Sequence, residues 1–325
     1  MRGRYSGKPG NGTGERQAVD GMGDTLVKIA GFIAIIALGY LARACGLLKR
    51  SDAAVLGAIV MNVTLPCSLV SGMDGVELDP AIGIVFVLGI GSSIVLIAAG
   101  YLRARRFGPR TAALEMLNTG GYNMGNFAIP FATSFFPQAV LPYLCLFDAG
   151  NAFMTLGGTP TLARNVMRPG SRFELRSFCK VLFSSVTFDT YMVLIVLCAL
   201  RLRLPGPVVT VAGMVGAANT FLAMFMVGVM LDLKLDRAVL GSIARIMTSR
   251  YLLTGAIAVA SYVLLPLPLI ARQVITVALM SPLANVDAIY SAQLRLDEKV
   301  PAIAMTLSIV VSTAIMSALV VAFTG

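Results

Sequence analysis

The sequence predicts an all-α membrane protein with ten transmembrane helices. Hydrophobic residues make up 57% of the chain and charged residues only 13%, whereas a soluble domain has roughly 25% charged residues. The mean hydropathy is +0.82. Apolar runs of about 20 residues, each long enough to cross a hydrocarbon core of about 30 Å, recur along the whole chain. These observations exclude a water-soluble fold and predict one membrane domain.

The apolar runs define the predicted spans and their orientation. The spans cover residues 24–43, 53–72, 81–102, 111–136, 139–163, 178–200, 208–231, 239–265, 271–293 and 301–323. The loops after the odd-numbered spans contain eighteen Lys and Arg residues, whereas the opposite face has four outside the N-terminal segment. Because Lys and Arg accumulate in cytoplasmic loops, we predict a multi-pass protein of the plasma or inner membrane with both termini extracytoplasmic.

The segment before the first span is polar and glycine-rich. Residues 1–23 have no apolar core of the kind found in a cleavable signal peptide. We therefore expect a disordered N-terminal tail. Met22 stands immediately before the first span, so a translation start at this residue is an equal alternative.

Several function classes find no support in the composition. The chain contains no histidine, and its five cysteines lack CxxC spacing, which argues against a zinc site. HExxH and GxSxG motifs are absent from the sequence, so we expect neither an enzyme nor a bound cofactor. The basic residues are spread over five short loops, which membrane orientation explains without a nucleic-acid partner.

The most basic connection divides the chain into two halves of five spans. A cytoplasmic linker over residues 164–177 separates a first repeat, residues 24–163, from a second repeat, residues 178–325. Halves with an odd number of spans lie in opposite orientations. Asn62 and Asn219 begin similar short runs at an offset of 157 residues. The fold class predicted is therefore an inverted repeat of five plus five helices.

Spans 4 and 9 contain prolines at matching places in the two halves. Pro130 follows a glycine- and asparagine-rich stretch, residues 118–129, and Pro282 begins a polar stretch that ends at Asp287. Proline frees backbone groups that hydrocarbon cannot satisfy, so such a break needs protein or a wet cavity around it. A simple proline kink is the alternative. Because paired breaks indicate a midplane binding site, we predict that spans 4 and 9 are broken at these prolines and cross near the midplane.

Several motifs resemble those of the auxin efflux carrier family, which includes bacterial permeases. They occur at residues 121–130 (GYNMGNFAIP), 146–152 (LFDAGNA), 39–40 (GY), 46–48 (GLL) and 65–66 (LP). The resemblance covers nearly all of the chain after the tail. It implies ten spans in an inverted repeat, with helices 4 and 9 crossing at the substrate site. Span 6 departs from the family pattern because it lacks an early proline and has Val186 and Thr187 among serines, which leaves the start of this span open.

The predicted crossing supplies the candidate substrate-binding residues. These are Asn123, Gly125, Asn126, Pro130, Pro282 and Asn285. We expect no Lys or Arg at the centre of any span, so the positive ends of half-helices that begin after the prolines, together with asparagine amides, would hold an anion.

Three acidic residues lie deep within predicted spans, where ionisable groups indicate function by default. Asp148 shares a helix face with Asn151 and is either a proton carrier, a hydrogen-bonded strut for span 4, or a cation ligand. Asp287 is either a helix cap or a coupling residue. Asp189 is expected to make a contact between helices. Glu115, near the cytoplasmic edge of span 4, is expected to pair with loop arginines.

The leading functional hypothesis is a secondary active transporter that works by alternating access. Its substrate would be a small organic anion, such as malate, malonate or an auxin-like acid, with a proton or a monovalent cation as the coupling ion. The alternatives are a transporter-like ligand sensor or a channel, since a binding site and a gate look alike in one sequence. The expected partners are the substrate, the lipid bilayer and, as an open alternative, a second copy of the chain.

Overall fold

A computed structural model describes residues 12–168, 170, 175–231 and 237–324, and the regular elements in these ranges are helices. In chain order they are α1 (Gly12–Ala44), α2 (Asp52–Met73), α3 (Pro80–Phe107), α4 (Pro109–Thr119), α5 (residues 124–132), α6 (Gln138–Met167), α7 (Leu175–Leu182), α8 (Val186–Ala199), α9 (Gly206–Met230), α10 (Arg237–Leu264), α11 (Leu269–Leu279), α12 (Val286–Gln293) and α13 (Lys299–Thr324). Short 3-10 or π-helical turns are included in several of these helices.

Seven of these helices are long and apolar enough to cross a membrane: α1 from Met22 onward, α2, α3, α6, α9, α10 and α13. Each coincides with a predicted span. The other three predicted spans are pairs of shorter helices, namely α4 with α5, α7 with α8, and α11 with α12. The described residues therefore form an all-helical fold with seven candidate membrane spans.

The N-terminal segment is described from Gly12, where α1 begins. Residues 1–11 of the predicted tail lie outside the described residues. Residues 12–23 continue the helix of the first span. The part of α1 from Met22 onward is the portion that qualifies as a span.

The helices pack as two groups. The first bundle, α1, α2, α8 and α9, is held by the packing of α1 and α2 on α9 and of α8 on α2. The second bundle contains α3, α4, α6, α10 and α11, in which α3 packs on α4 and α6, and α10 packs on α3 and α11. The short helix α5 touches α9 of the first bundle and α11 of the second, and α13 packs on α1 of the first bundle and on α10 and α11 of the second. Contacts between the bundles are otherwise less extensive than contacts within them.

The two bundles differ in how their helices are interrupted. In the first bundle, α2 contains a π-helical turn at Val60–Thr64, and α9 is kinked at residues 217–218, just before Asn219. The Thr64 hydroxyl donates a hydrogen bond of 3.0 Å to the Asn219 side-chain oxygen, which joins the two irregular points. In the second bundle, α6 also contains a π-helical turn, at Met154–Gly158, and the chain is fully broken between α4 and α5 and between α11 and α12.

The break in span 4 lies upstream of the predicted position. Residues 120–123, here called the first break, separate α4 from α5, and Pro130 lies inside α5. The prediction of a break at Pro130 was therefore wrong. A π-helical turn at Met124–Ala128 precedes Pro130, which then occupies the first turn of the α-helical part, where a missing N–H costs little. The second break, residues 280–285, does contain Pro282, as predicted.

Candidate functional site

The two breaks meet and hydrogen-bond to each other. The Asn123 backbone N–H donates to the Pro282 carbonyl at 3.0 Å. The Asn123 side-chain amide donates to the Asn285 side-chain oxygen, also at 3.0 Å. These two asparagines are the residues that immediately precede α5 and α12. The helices of spans 4 and 9 are therefore joined at their interruptions, and half-helices begin at Met124 and Val286 instead of after the prolines.

Gly121 allows this close approach. Its φ angle is +74°, a conformation that side chains with a Cβ rarely adopt. A Cβ atom at this position would lie 2.5 Å from the Thr155 side chain and 3.2 Å from Ala284 Cβ, so there is no room for one. The glycine pair at residues 120–121 therefore ends α4, and the turn it makes directs the chain across the second break.

Arg250 lies behind both breaks. It is the eleventh residue of the α-helical part of α10, Leu240–Leu264, and its side chain is fully buried. One guanidinium nitrogen, Nη1, donates to the carbonyls of Thr119 at 2.9 Å and Gly121 at 2.6 Å. The other, Nη2, donates to the carbonyls of Ser281 at 2.9 Å and Pro282 at 3.0 Å. One cation thus satisfies backbone acceptors freed at the C-terminal ends of both α4 and α11.

This arrangement corrects the expectation that no Lys or Arg lies at the centre of a span. In the sequence, Arg250 is grouped with the loop cations that indicate the orientation of the chain in the membrane. Its position well inside the apolar segment 239–265, next to Ser249 and four residues before Thr254, was the available signal. Because a buried cation must be paired or hydrogen-bonded, this polar stretch indicated a partner in another helix.

A cavity of about 310 Å³ lies in front of the breaks, between the two bundles. Four of the six predicted substrate-binding residues line it: Asn123, Gly125, Asn126 and Asn285. Pro130 and Pro282 are not among its lining residues. Residues of α2, α8 and the segment before α8 form its other wall, including Met61, Ser185, Thr187 and Tyr191. The cavity therefore has one wall on each bundle.

Asn126 carries an unpartnered polar atom at this cavity. Its side-chain oxygen is buried and has no hydrogen-bond partner. By contrast, the side chains of Asn123 and Asn285 bond to each other. This oxygen can only accept a hydrogen bond, so a carboxylate in the cavity would have to bind the NH2 group of Asn126.

Asp148 and Asn151 link the cavity to the first break. The Asn151 side chain accepts a hydrogen bond of 2.9 Å from the Tyr122 N–H and donates one of the same length to the Tyr122 carbonyl. It also donates to Asp148 Oδ1 at 3.0 Å. The Tyr191 hydroxyl donates to Asp148 Oδ2 at 2.8 Å. Asn151, and not Asp148, thus holds the extended backbone directly, and Asp148 connects it to α8 of the other bundle.

The remaining acidic residues lie elsewhere. Asp287 is 3% exposed, does not line the cavity, and has one carboxyl oxygen, Oδ2, without a hydrogen-bond partner. The capping position of α12 is occupied by Asn285. Asp189 is half-buried in α8 and also lies outside the cavity. Glu115 accepts a hydrogen bond of 2.8 Å from Arg245 Nε, which confirms the predicted ion pair.

The chemistry available at the site is that of neutral amides and hydroxyls around one carboxyl group. Across residues 12–168, 170, 175–231 and 237–324, no group of three or more His, Cys, Asp and Glu side chains could hold a metal ion. A cavity between two helix bundles, built on two interrupted helices that meet, is the arrangement of a membrane transport protein.

Comparison with known proteins gives a match to one family model over part of the chain. A family model described as "Membrane transport protein" matches residues 24–168. The match supports the resemblance to the auxin efflux carrier family over this part of the chain and, together with the apolar helices, indicates a membrane transport protein. The matched region contains the first break, Asp148 and Asn151. No curated protein matches the chain.

Proposed function

We propose that this protein is a secondary active transporter that moves a small organic anion across the membrane by alternating access. The observation that carries the proposal is the cavity of about 310 Å³ between the two bundles, which is lined by residues at both breaks. Its volume is at the lower end of the range for small-molecule sites, roughly 300–1,000 Å³, which favours a small substrate over a lipid or a peptide.

The packing of the helices supports alternating access. Extensive contacts hold each bundle together, whereas fewer contacts join the two. Relative movement of the bundles would leave their interiors intact and would open the cavity first to one side and then to the other. The substrate would remain at the breaks during this movement, because the breaks are fixed within the second bundle by Arg250 and Asn151.

An inverted repeat is also part of the proposal. Asn123 and Asn285, 162 positions apart, occupy equivalent places at the ends of the two breaks. Asn219 and the π-helical turn Val60–Thr64 occupy matching places in spans 7 and 2. With spans 4, 6 and 9 counted as interrupted spans, the chain has five per repeat. From the positive charge of the odd-numbered loops we infer that both termini lie outside the cytoplasm.

The electrostatics of the breaks favour an anion. Helices α5 and α12 begin at the cavity wall, so their positive dipole ends point toward it. The guanidinium of Arg250 lies 5.0 Å from the centre of the Tyr122 ring, and Tyr122 itself lines the cavity. An anion at Asn126 would therefore experience a positive potential without forming a direct ion pair, which binds it without preventing its release.

Asp148 provides a mechanism for proton coupling. An anionic substrate and an ionised Asp148 would repel each other by about 3 kcal/mol at 5 Å, taking an effective dielectric constant of about 20. Substrate binding therefore favours the protonated form of Asp148, and proton and anion would move together. If Asp148 is instead a structural strut or a monovalent cation ligand, substrate binding should cause no proton uptake. Asp287 is the second candidate for the coupling group.

The function is tested with purified protein in liposomes. A carrier exchanges labelled carboxylate for unlabelled carboxylate in counterflow, whereas a sensor only binds it and a channel shows no trans-stimulation. Candidate substrates would be malate, malonate and indole-3-acetate. If all three carboxylates bind specifically but none exchanges in counterflow, the protein is a sensor and not a carrier.

The site is tested by Asn126→Ala. A hydrogen bond to a charged group contributes roughly 1.5–3 kcal/mol, so the affinity for the carboxylate should fall at least tenfold. Asn62→Ala is the matched control because the Asn62 side chain bonds within its own helix, to the Ala58 carbonyl, and is exposed. Unchanged affinity in both Asn126→Ala and Asn285→Ala would place the site away from the breaks.

A further inference from the structure

A second and larger cavity lies on the outer surface of the second bundle. It has a volume of about 610 Å³ and is formed by α3, α4 and α6. Its lining is mostly apolar: Ile94, Ile97, Ala98, Pro109, Ala112, Met116, Leu162 and Val166, together with Tyr101, Arg105 and Asn165. We call it the outer groove. None of its lining residues lines the cavity at the breaks.

The outer groove is open to the surrounding lipid. Ile94 is 50% exposed and Leu162 is 43% exposed, although both line the groove. Ile94 and Arg105 are eleven residues apart on α3, which corresponds to about 16 Å at 1.5 Å per residue. That length is about half of a hydrocarbon core of about 30 Å. The length of the groove therefore matches the depth of one lipid leaflet.

Positive charge is concentrated at one end of the groove. Arg105 lines it there and is exposed. The chain segments at this end, residues 100–111 and 162–168, contain six arginines and no Asp or Glu. Glu115, the nearest acid along α4, is already paired with Arg245. Among the described residues, no acidic side chain pairs with Arg105, so its charge at the mouth of the groove is left for a negatively charged partner.

From these features we propose that the outer groove binds one anionic phospholipid of the leaflet that faces the basic loops. One of its two acyl chains lies along the apolar wall from Arg105 toward Ile94, and its phosphate is held by Arg105. An apolar slot one leaflet deep fits an acyl chain, and a basic rim at the headgroup level fits a phosphate. Because α4 and α6 also carry the first break and Asp148, the lipid would contact the helices that hold the transport site.

The absence of tryptophan from the chain provides a clean assay. Leu162→Trp introduces a single fluorophore at the rim of the groove. Val95→Trp is the matched control because Val95 lies on α3 beside Ile94, is 45% exposed, and does not line the groove. Both variants are reconstituted into phosphatidylcholine vesicles that contain brominated phosphatidylglycerol, whose acyl chains quench nearby tryptophan.

We expect the Leu162→Trp protein to report about fivefold preference for phosphatidylglycerol over phosphatidylcholine, the effect of roughly one basic residue at the membrane surface. The Val95→Trp protein should report almost none. Adding Arg105→Gln to Leu162→Trp should remove the preference, whereas adding Arg106→Gln should leave it, because Arg106 is exposed but does not line the groove.

Three outcomes would overturn the proposal. Equal preference at Leu162→Trp and Val95→Trp would mean that the basic loops attract anionic lipid in general, with no site. Preference that survives Arg105→Gln would mean that this arginine does not hold the phosphate. Free glycerophosphoglycerol, the headgroup without chains, should not relieve the quenching; relief would show a headgroup site in which the groove has no part.

Discussion

Substitution of Arg250 tests what holds the first and second breaks together. Replacing it with methionine keeps a long apolar side chain but removes the cation and its donors. Four backbone carbonyls lie within 3.0 Å of its Nη atoms. A buried acceptor that loses its partner costs about 1–3 kcal/mol, and relaxation or entering water recovers part of this. We therefore expect Arg250→Met to destabilise the protein by about 4 kcal/mol, close to the cost of removing one partner of a buried ion pair, about 3–5 kcal/mol.

The same substitution should weaken substrate binding. Arg250 lies 5.0 Å from the Tyr122 ring centre, so an anion on the cavity side of that ring would be about 9 Å from the charge. At an effective dielectric constant of about 20, the lost attraction is roughly 2 kcal/mol, or about twentyfold in affinity. Arg250→Lys keeps the charge but has three donors instead of a planar fork. It should lose stability and retain most of the affinity.

Thermal unfolding can be followed with a dye that fluoresces on reaction with thiols, since Cys145 and Cys198 are buried. Substrate binding is measured on the same samples by calorimetry. Arg103→Met is the matched control, because Arg103 is exposed and donates to Ser249, the residue next to Arg250. If Arg250→Met keeps the wild-type melting temperature and affinity, then Arg250 neither holds the two breaks together nor attracts the substrate through its charge.

Three further predictions concern coupling, movement and orientation. Asp148→Asn should preserve folding and counterflow exchange but abolish proton-driven accumulation in liposomes with an imposed pH gradient; full accumulation would make Asp148 a strut. Tyr191→Phe removes the hydrogen bond of 2.8 Å that joins α8 to Asp148 across the two bundles, so it should change the rate of exchange more than equilibrium binding; an unchanged rate would show that this bond does not limit the movement. In a cysteine-free background, Glu77→Cys should react with impermeant maleimide in intact cells and Ser51→Cys should not, and the reverse pattern would invert the topology.

Asp148 lies between the two bundles and contacts both of them. The carboxyl group bonds to Asn151 within its own helix and to Tyr191 in the other bundle. A strut and a proton carrier would both make these contacts in one conformation. The two roles differ only in whether the contact with Tyr191 breaks when a proton or a substrate arrives, which the proposed pair of substitutions separates.

The sequence by itself determined the class of the protein and much of its plan. Long apolar runs can only be lipid-spanning helices, because hydrocarbon leaves backbone groups no other partner. The glycine- and asparagine-rich stretch in span 4 marked an interruption for the same reason. Residues of that stretch line the cavity, as do Asp148 and Asn151, since polar groups in an apolar span must face protein or a cavity.

Only the tertiary structure decided where the breaks lie and what stabilises them. Pro130 looked like the point of interruption, but a π-helical turn accommodates it, and the chain opens instead at Gly121, where a Cβ would clash with another helix. Arg250 looked like one more loop cation. Its role depends on carbonyls from two helices that are distant in sequence and meet only after packing. Local pattern identifies polar groups that need partners, but the identity of the partner is a property of the packed helices.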